Sequence, residues 1–577
     1  MSDDRPVDGS DLGRAAGEGD GSRVRWREWG AEAFDEAGER GDPVCCFLTA
    51  TWCGPCHEMA VETFGEPRVA ANVNDGFVPV RVDVDRYPRV RERYNAGGFP
   101  STAFLTPDGR LLTGATYLGP DGMRQVLDRV RDRWAESGAG SGRVPRALAG
   151  EPTPAGEVTE RIEAHLAGQL GEKYDPEFAG WGTDAKFPLP RTIEFALKRE
   201  REQAVATLDA VARALHDDVE GGFFRFASHR NWGDPHREKL LADNAALVRA
   251  FANGYLYTGE TRFRETAADA IDFLTASLWN GTAFGGSQGP AEDREYYGLD
   301  AEERAAARAP RRDLTAYADA NAAAADALLV FAAYTDDDGA REYARRTLGY
   351  LRRELIDDGA VVHYRDGDER GEAGLLTDQA GAAAAFARAA QVLGSDVRSD
   401  GRWTVDGSDG GESDGYLSTA RAVAEHAIET LRDEGSFRDG PAEGPGLLDR
   451  PLRPIDGNVE MASALLDLAA LTGDGSYRSA ARETVGAFAG AWDRIGVQIA
   501  GYGAVAGRLC RPDLVIDVDR AGSDLHRAAL RVADHEKVVR PGVTDAGVAQ
   551  IRVGDRSREA GTPPELMDAV SGLSTGP

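Results

Sequence analysis

The chain has 577 residues and a formal net charge of −30, from 97 acidic against 67 basic side chains. That length carries two to four domains, and that charge excludes nucleic acid and anionic membrane as partners. Lysine occurs only at Lys173, Lys186, Lys198, Lys239 and Lys537, so nearly all positive charge is arginine. An acidic, lysine-poor composition is expected of a halophilic protein, whose self-repulsion is screened by a salty cytosol.

Residues 1–22 are acidic and Gly-rich, without the basic and apolar regions of a signal peptide, and are expected to be disordered. No run of about 18 apolar residues occurs, so a cytoplasmic location is expected. Residues 23–137 read as a small α/β domain. Pro43 to Thr49 is a continuous apolar run suited to a buried strand, and Phe77 to Val84 is a second. Thr102 to Thr106 enters a Pro107-Asp108-Gly109 turn, Leu111 to Tyr117 pairs back as a hairpin, and a helix over 122–134 closes the unit.

Residues 138–157, rich in Gly, Ser, Pro and Ala, form a linker. Beyond it the apolar spacing is helical, as at Leu241, Ala245, Val248, Ala252 and Tyr255. Tyr257-Thr258-Gly259-Glu260-Thr261-Arg262-Phe263 recurs as Leu471-Thr472-Gly473-Asp474-Gly475-Ser476-Tyr477, with a looser copy from Tyr334 to Gly339. Each copy stops one helix near a Gly, caps the next and opens it with an aromatic ring. Helical hairpins are therefore expected over 158–535, either stacked as a solenoid or closed as an α/α toroid; their long polar loops favour the toroid. Residues 395–415, rich in Gly, Asp and Ser, read as an insertion, and 536–577 as a weakly patterned tail.

The sharpest motif is Thr51-Trp52-Cys53-Gly54-Pro55-Cys56-His57. Two cysteines two residues apart can close and open a disulfide, which is the chemistry of thiol–disulfide exchange. Cys53 is expected where a strand and loop meet a helix, so that unpaired N–H groups stabilise its thiolate. Pro100, just before a strand, is a candidate cis proline against the dithiol. A zinc site needs about four ligands, and no second Cys-x-x-Cys pair exists. Cys45, Cys46 and Cys510 are expected to be free thiols. Neither a metal nor a cofactor is expected.

Trp52-Cys53-Gly54-Pro55-Cys56, Phe99-Pro100-Ser101-Thr102 and Pro107-Asp108-Gly109 resemble the thioredoxin superfamily in order and spacing. That resemblance implies that Cys53 attacks, Cys56 resolves and Pro100 is cis. Thioredoxins carry a buried acid six residues before the first cysteine; Phe47 stands there in this chain, so His57 or Glu58 is a candidate proton acceptor for Cys56.

The likeness extends further. Cys56-His57-Glu58-Met59, Asn74-Asp75-Gly76-Phe77-Val78 and Val82-Asp83-Val84-Asp85-Arg86-Tyr87-Pro88 are similar to the spermatogenesis-associated protein 20 family, as are Ala185-Lys186-Phe187-Pro188, Glu220 to Phe226 with Trp232, Asp234 to Ala245, Leu376-Thr377-Asp378-Gln379-Ala380 and Pro454 to Asn458. The resemblance implies a multidomain α/β plus all-α chain: a thioredoxin-like fold followed by an (α/α)6 toroid like that of six-hairpin glycosidases and sugar 2-epimerases.

In such a toroid the helix starts converge on a central mouth. Lys186, His236, Glu238, Lys239, Asp243, Asn244, Asp319, Asn321, Asp378 and Asn458 are its candidate cavity residues, with Trp181 or Trp232 as a stacking platform and His363 as a possible partner of His236 in moving a proton. Asp and Asn at helix starts are equally read as caps, and the Glu238–Lys239 pair as part of a structural ion network. The expected activity is thiol–disulfide exchange with a disulfide-bearing protein or a small-molecule thiol. The alternative is a carbohydrate-active or sugar-binding protein whose thioredoxin-like domain serves docking.

Overall fold

The computed structural model describes residues 21–150, 153–291, 293, 295–394 and 415–574. The N-terminal stretch read as disordered and the insertion at 395–415 lie almost wholly outside these residues. No described helix is long and apolar enough to cross a membrane.

The first domain is built on β1 (Val44–Thr49), buried at every position as its unbroken apolar run requires. It pairs parallel with β2 (Val78–Asp83) and antiparallel with β3 (Ser101–Leu105); β4 (Leu111–Ala115) returns against β3. The sheet order is β2-β1-β3-β4. Around it lie α1 (Ala31–Arg40), α2 (Gly54–Glu62), α3 (Pro67–Gly76), α4 (Pro88–Tyr94) and α5 (Pro120–Ser137). A proline opens each of the last four, where its missing N–H leaves nothing unsatisfied. Phe47 packs between Trp26 and Phe64, with ring centroids 5.6 and 4.9 Å away, so an aromatic cluster fills the place where a thioredoxin buries its acid.

Six helical hairpins follow: α6 (Glu160–Lys173) with α7 (Pro190–Arg199), α8 (Arg201–Leu215) with α9 (Leu241–Thr258), α10 (Thr261–Phe273) with α12 (Ala318–Thr335), α13 (Asp338–Tyr350) with α14 (Leu376–Val392), α15 (Tyr416–Thr430) with α16 (Ile455–Thr472), and α17 (Gly475–Gly486) with α18 (Ala500–Cys510); a short α11 (Ala301–Ala306) sits in the third connection. Helices α7, α9, α12, α14, α16 and α18 each pack on the next, and α18 closes on α7, while the first helix of each hairpin lies outside. This closed double ring is an (α/α)6 toroid. Its inner helices are alanine-rich, and α12 is buried along nearly its whole length, which lets it pack between neighbours on both sides. The repeated motif marks three inner-helix ends: Gly259, Asp336 and Gly473 each take the left-handed conformation that stops a helix.

The axis of the ring is filled by charge rather than left open. Arg249 pairs with Glu194 and Asp326 (2.7 Å each), Arg388 with Asp326 (3.2 Å), Arg508 with Asp467 (2.8 Å), and Arg191 with Glu194 and Glu460. A cavity of only about 90 Å³ remains between them.

The segment read as the end of the toroid and a tail folds differently. The last ring helix stops at Cys510, and four strands follow: β5 (Leu514–Val518), β6 (Val538–Pro541), β7 (Ala549–Val553) and β8 (Arg556–Ala560), with α19 (Asp524–Leu530) and α20 (Pro563–Ser574). β5 pairs parallel with β6 and antiparallel with β7, and β8 returns on β7, giving β6-β5-β7-β8. Order and directions repeat those of the first domain. Ser523 caps α19 by accepting the His526 N–H, as Cys53 caps α2 by accepting the Cys56 N–H. The chain therefore carries a second, abbreviated thioredoxin-like unit with Ser-x-x-His in place of the dithiol. It docks on the C-terminal ends of the inner helices: His526 Nε2–H donates to the Gln391 carbonyl (2.8 Å), and the Val539 N–H to Gln391 Oε1 (3.1 Å).

Candidate functional site: the dithiol and the toroid mouth

β1 delivers the chain to Cys53, the N-cap of α2. Its Sγ accepts the Cys56 N–H at 3.2 Å and is joined to the Cys56 sulfur in a disulfide, with the two Cα atoms 5.2 Å apart. The Phe99–Pro100 peptide beside this turn is cis. Trp52 packs edge-on against Phe99 (5.5 Å) and donates its Nε1–H to Asp85 (2.8 Å). His57 turns Nε2 to the Thr51 carbonyl (2.9 Å), and Glu58 stands on the exposed face. Cys45 and Cys46 are buried, and burial pushes both thiols up, Cys45 to about 12, so neither competes as a nucleophile.

At the end of β2 lies an acidic cluster to which the sequence reading gave no role. Burial, reinforced by Asp83 and Asp313, pushes the Asp85 carboxyl up to about 8; burial and Asp313 push Asp83 up to about 6. The Tyr317 hydroxyl donates to Asp313 (2.8 Å). Both raised groups hold protons in the folded chain at pH values where the unfolded chain would release them. Their stabilising share is therefore complete below the ordinary carboxyl value of 3.8 and is lost as pH rises through about 6 and then about 8. Melting temperature is expected to fall from pH 5 to pH 8.5 in scanning calorimetry, and Asp85→Asn to flatten that decline.

The domain is fastened to the N-terminal face of the ring. Arg86 pairs with Asp366 (2.6 Å) and Glu369 (2.7 Å), Arg93 with Asp439 (2.7 Å), and Arg89 with Glu372. Arg89 also donates to the carbonyls of Pro441 and Leu448 (2.7 Å each). From the toroid, His363 gives Nε2–H to the Asp85 carbonyl (2.7 Å) and Nδ1–H to Asp378 (3.0 Å). Burial alone would lower its pKa; the Asp378 carboxylate outweighs this and pushes it up to about 10. The polar atoms of Asp319, His363 and Asp378 lie within 4.8 Å of one another, a spacing a metal ion could use. With both ring nitrogens donating, an ion pair inside the toroid orients His363, and its hydrogen bond to the Asp85 carbonyl ties the two domains together.

Between domain and ring lies a cavity of about 440 Å³. Trp52, Val84 and Asp85 wall it on one side; Arg225, Asp243, Tyr317, Asp319, His363 and Asp456 on the other. Burial pushes the Asp243 carboxyl up to about 6 and raises that of Asp456. The Arg225 guanidinium lies over the Trp52 ring (4.6 Å) and 4.0 Å from Asp243.

Of the sequence candidates, the structure brings Asp243, Asp319 and His363 to this cavity, with Asp378 behind His363. The others are placed elsewhere. Lys186 and Lys239 are fully buried and pair with Asp175 (3.0 Å) and Asp217 (2.7 Å); Arg230 and Arg304 complete two matching clusters. Asn244, Asn321 and Asn458 are clamps. Each accepts the N–H and donates to the carbonyl of one residue in the preceding connection, Phe223, Phe284 and Phe437 respectively. Asn321→Ala is expected to destabilise the ring by about 1–3 kcal/mol, read from chemical denaturation, because a buried N–H and C=O lose their partner. Trp181 and Trp232 are buried, each N–H given to a backbone carbonyl, so neither is a platform. His236 stacks on Phe226 (3.9 Å) away from the cavity, and His363 has no free nitrogen, so no histidine pair forms. Glu238 lies 3.6 Å from both Arg225 and His236. Arg225, Asp85 and Asp456 were missed; Asp83 and Asp85, two acids closing an apolar strand, were the available signal.

The family model Thioredox_DsbH, described as a protein of unknown function, DUF255, matches residues 18–144. Human spermatogenesis-associated protein 20 is 29% identical over 296 residues, covering 44% of this chain and 37% of that protein. The uncharacterized protein B0495.5 of Caenorhabditis elegans is 28% identical over 271 residues, 41% of this chain and 37% of that one. The chain thus spans well under half the length of these curated relatives. Drosophila melanogaster thioredoxin-1 is 35% identical over 72 residues, 12% of this chain and 62% of its own. Among solved structures, a sugar epimerase from a ruminal bacterium covers 56% of this chain and 84% of its own at 12% identity and a TM-score of 0.45. The resemblance read from the motifs holds: the chain has homologues named spermatogenesis-associated protein 20, and it joins a thioredoxin-like domain to an α/α toroid.

Proposed function

We propose that the protein is a thiol–disulfide oxidoreductase in which Cys53 attacks a disulfide and Cys56 resolves the mixed intermediate. The observation that supports this most is the seat of Cys53: its sulfur accepts a backbone N–H at the N-cap of α2, where the helix end favours negative charge. The ring helices do not interrupt that geometry, and the two remaining cysteines of β1 are inert. Alkylation of the reduced protein across a pH series tests it. Cys53 is expected to titrate clearly below the ordinary thiol value of about 8.5; titration at that value overturns the proposal. The acidic, lysine-poor composition supports a salty cytoplasm as the working environment.

A second reading, sugar chemistry at the ring, draws on one observation: the Asp243 carboxyl sits near 6 and opens on the cavity. The charged plug along the axis confines that reading to the mouth. It expects a mono- or disaccharide that raises the melting temperature, with the shift lost in Asp243→Ala.

A further inference from the structure

The toroid roofs the dithiol. Cys53 is 3% exposed and Cys56 is 0% exposed. The connection at Gly289 and Pro290 lies on the active-site turn: a Cβ on Gly54 would stand 3.2 Å from Pro290, and one on Gly289 would stand 3.2 Å from the Thr51 carbonyl. Arg86, Arg89 and Arg93 fasten this arrangement by ion pairs and His363 by its hydrogen bond to the Asp85 carbonyl, so lifting the roof means parting several buried or half-buried contacts. A folded protein cannot bring a surface disulfide to these sulfurs without doing so.

The space nearest the active-site turn is the 440 Å³ cavity, a volume typical of small-molecule sites; Trp52 lines it, and Cys53 is the next residue along, just outside the lining. Its charges are unevenly committed. Arg89 is held by Glu372 and Asp439, Arg91 by Glu92 (3.0 Å), His363 by Asp378, and Arg225 is shared between Glu238 and Asp243. On the acidic side Asp456 has no ion pair among the described residues, and Asp243 has only Arg225, at 4.0 Å. Each cation of the lining thus has a carboxylate within 4.0 Å, whereas Asp456 has no cation that near among the described residues.

We infer that the disulfide partner is a small cationic molecule, an amine-bearing disulfide, taken up in this interdomain cavity. The inference rests on the thiol–disulfide reading and names its substrate class. The Cys53 thiolate attacks one sulfur of RS–SR; that bond breaks, one RS⁻ leaves and takes a proton, and a mixed disulfide remains on Cys53. Cys56 then gives up its proton, attacks the Cys53 sulfur and expels the second RS⁻. Two electrons pass from the dithiol to the substrate, and a low-molecular-weight thiol in excess returns them.

The test is single-turnover oxidation of the reduced full-length protein by four probes: cystamine (a dication), 2-hydroxyethyl disulfide (neutral), dithiodipropionate (a dianion) and insulin. Cystamine is expected to react on the order of tenfold faster than the neutral compound, with the dianion slower still, and insulin slowest of all. Asp243→Asn with Asp456→Asn is expected to bring the cystamine rate down to that of the neutral probe. Equal rates for all three small disulfides, or insulin matching cystamine, overturns the inference and leaves thiol–disulfide exchange standing. If no probe oxidises the dithiol, the parent reading fails and takes the inference with it. Each rate is divided by that of the same probe with free dithiothreitol, which removes differences in leaving-thiol acidity. Asp456→Asn alone, at an exposed position, is expected to lower the corrected cystamine rate if the double variant does not fold; no change in it overturns the inference.

Discussion

Reduced Cys56→Ser protein mixed with a reactive disulfide is expected to accumulate a covalent adduct on Cys53, whereas Cys53→Ser protein accumulates none. The asymmetry follows from the positions of the two sulfurs. Cys53 is the cap of α2 and takes the N–H of Cys56; Cys56 lies inside the first turn, fully buried and bonded to the Cys53 sulfur. Removing the resolving thiol stops the reaction after its first step. Removing the attacking thiol stops the first step, and turnover should fall on the order of 10³-fold or more, as for loss of a nucleophile elsewhere. Mass spectrometry of the intact chain reads the adduct directly. Adducts on both variants, or on neither, would show that the sulfurs do not hold these separate roles.

The second large effect lies at the seam between domain and ring. Asp439 is the shared carboxylate of Arg93, whose side chain is 0% exposed, and Arg89, whose side chain is 3% exposed. Asp439→Ala leaves the fully buried Arg93 guanidinium without its carboxylate and takes from Arg89 the weaker of its two, Glu372 remaining. Breaking a buried pair in this way costs about 3–5 kcal/mol. The expected result is a large drop in thermal stability together with faster reduction of the Cys53–Cys56 disulfide by a bulky reductant, because the roof at Pro290 no longer sits firmly. Asp439→Glu should recover part of both. A drop in stability without any change in disulfide access would mean that the ring weakens while the seam holds.

Much of this architecture could be read from residues alone. The apolar run at Val44 to Thr49, the Trp-Cys-Gly-Pro-Cys turn and the Thr-Gly repeat are local signals, each set by neighbours a few positions away. Residues whose role depends on partners outside their own helix stayed open between a cavity role and a structural one. Lys186 and Lys239 look like cavity cations in sequence, yet each is committed to an aspartate of its own connection, Asp175 and Asp217. Asn244, Asn321 and Asn458 carry the right chemistry for a sugar site and spend it on backbone. Arg225 and Asp456 come together across more than two hundred positions, and no spacing rule reveals that. The second thioredoxin-like unit was hidden for another reason: without cysteines its β5 to α19 turn keeps the shape but not the letters of the motif.

That second unit settles what the ring can admit. One sheet-and-helix stopper sits on each rim, and a lattice of arginine and carboxylate occupies the bore between them. A long glycan therefore has no way to thread through the barrel, and the space left for smaller guests lies at the rims rather than along the bore.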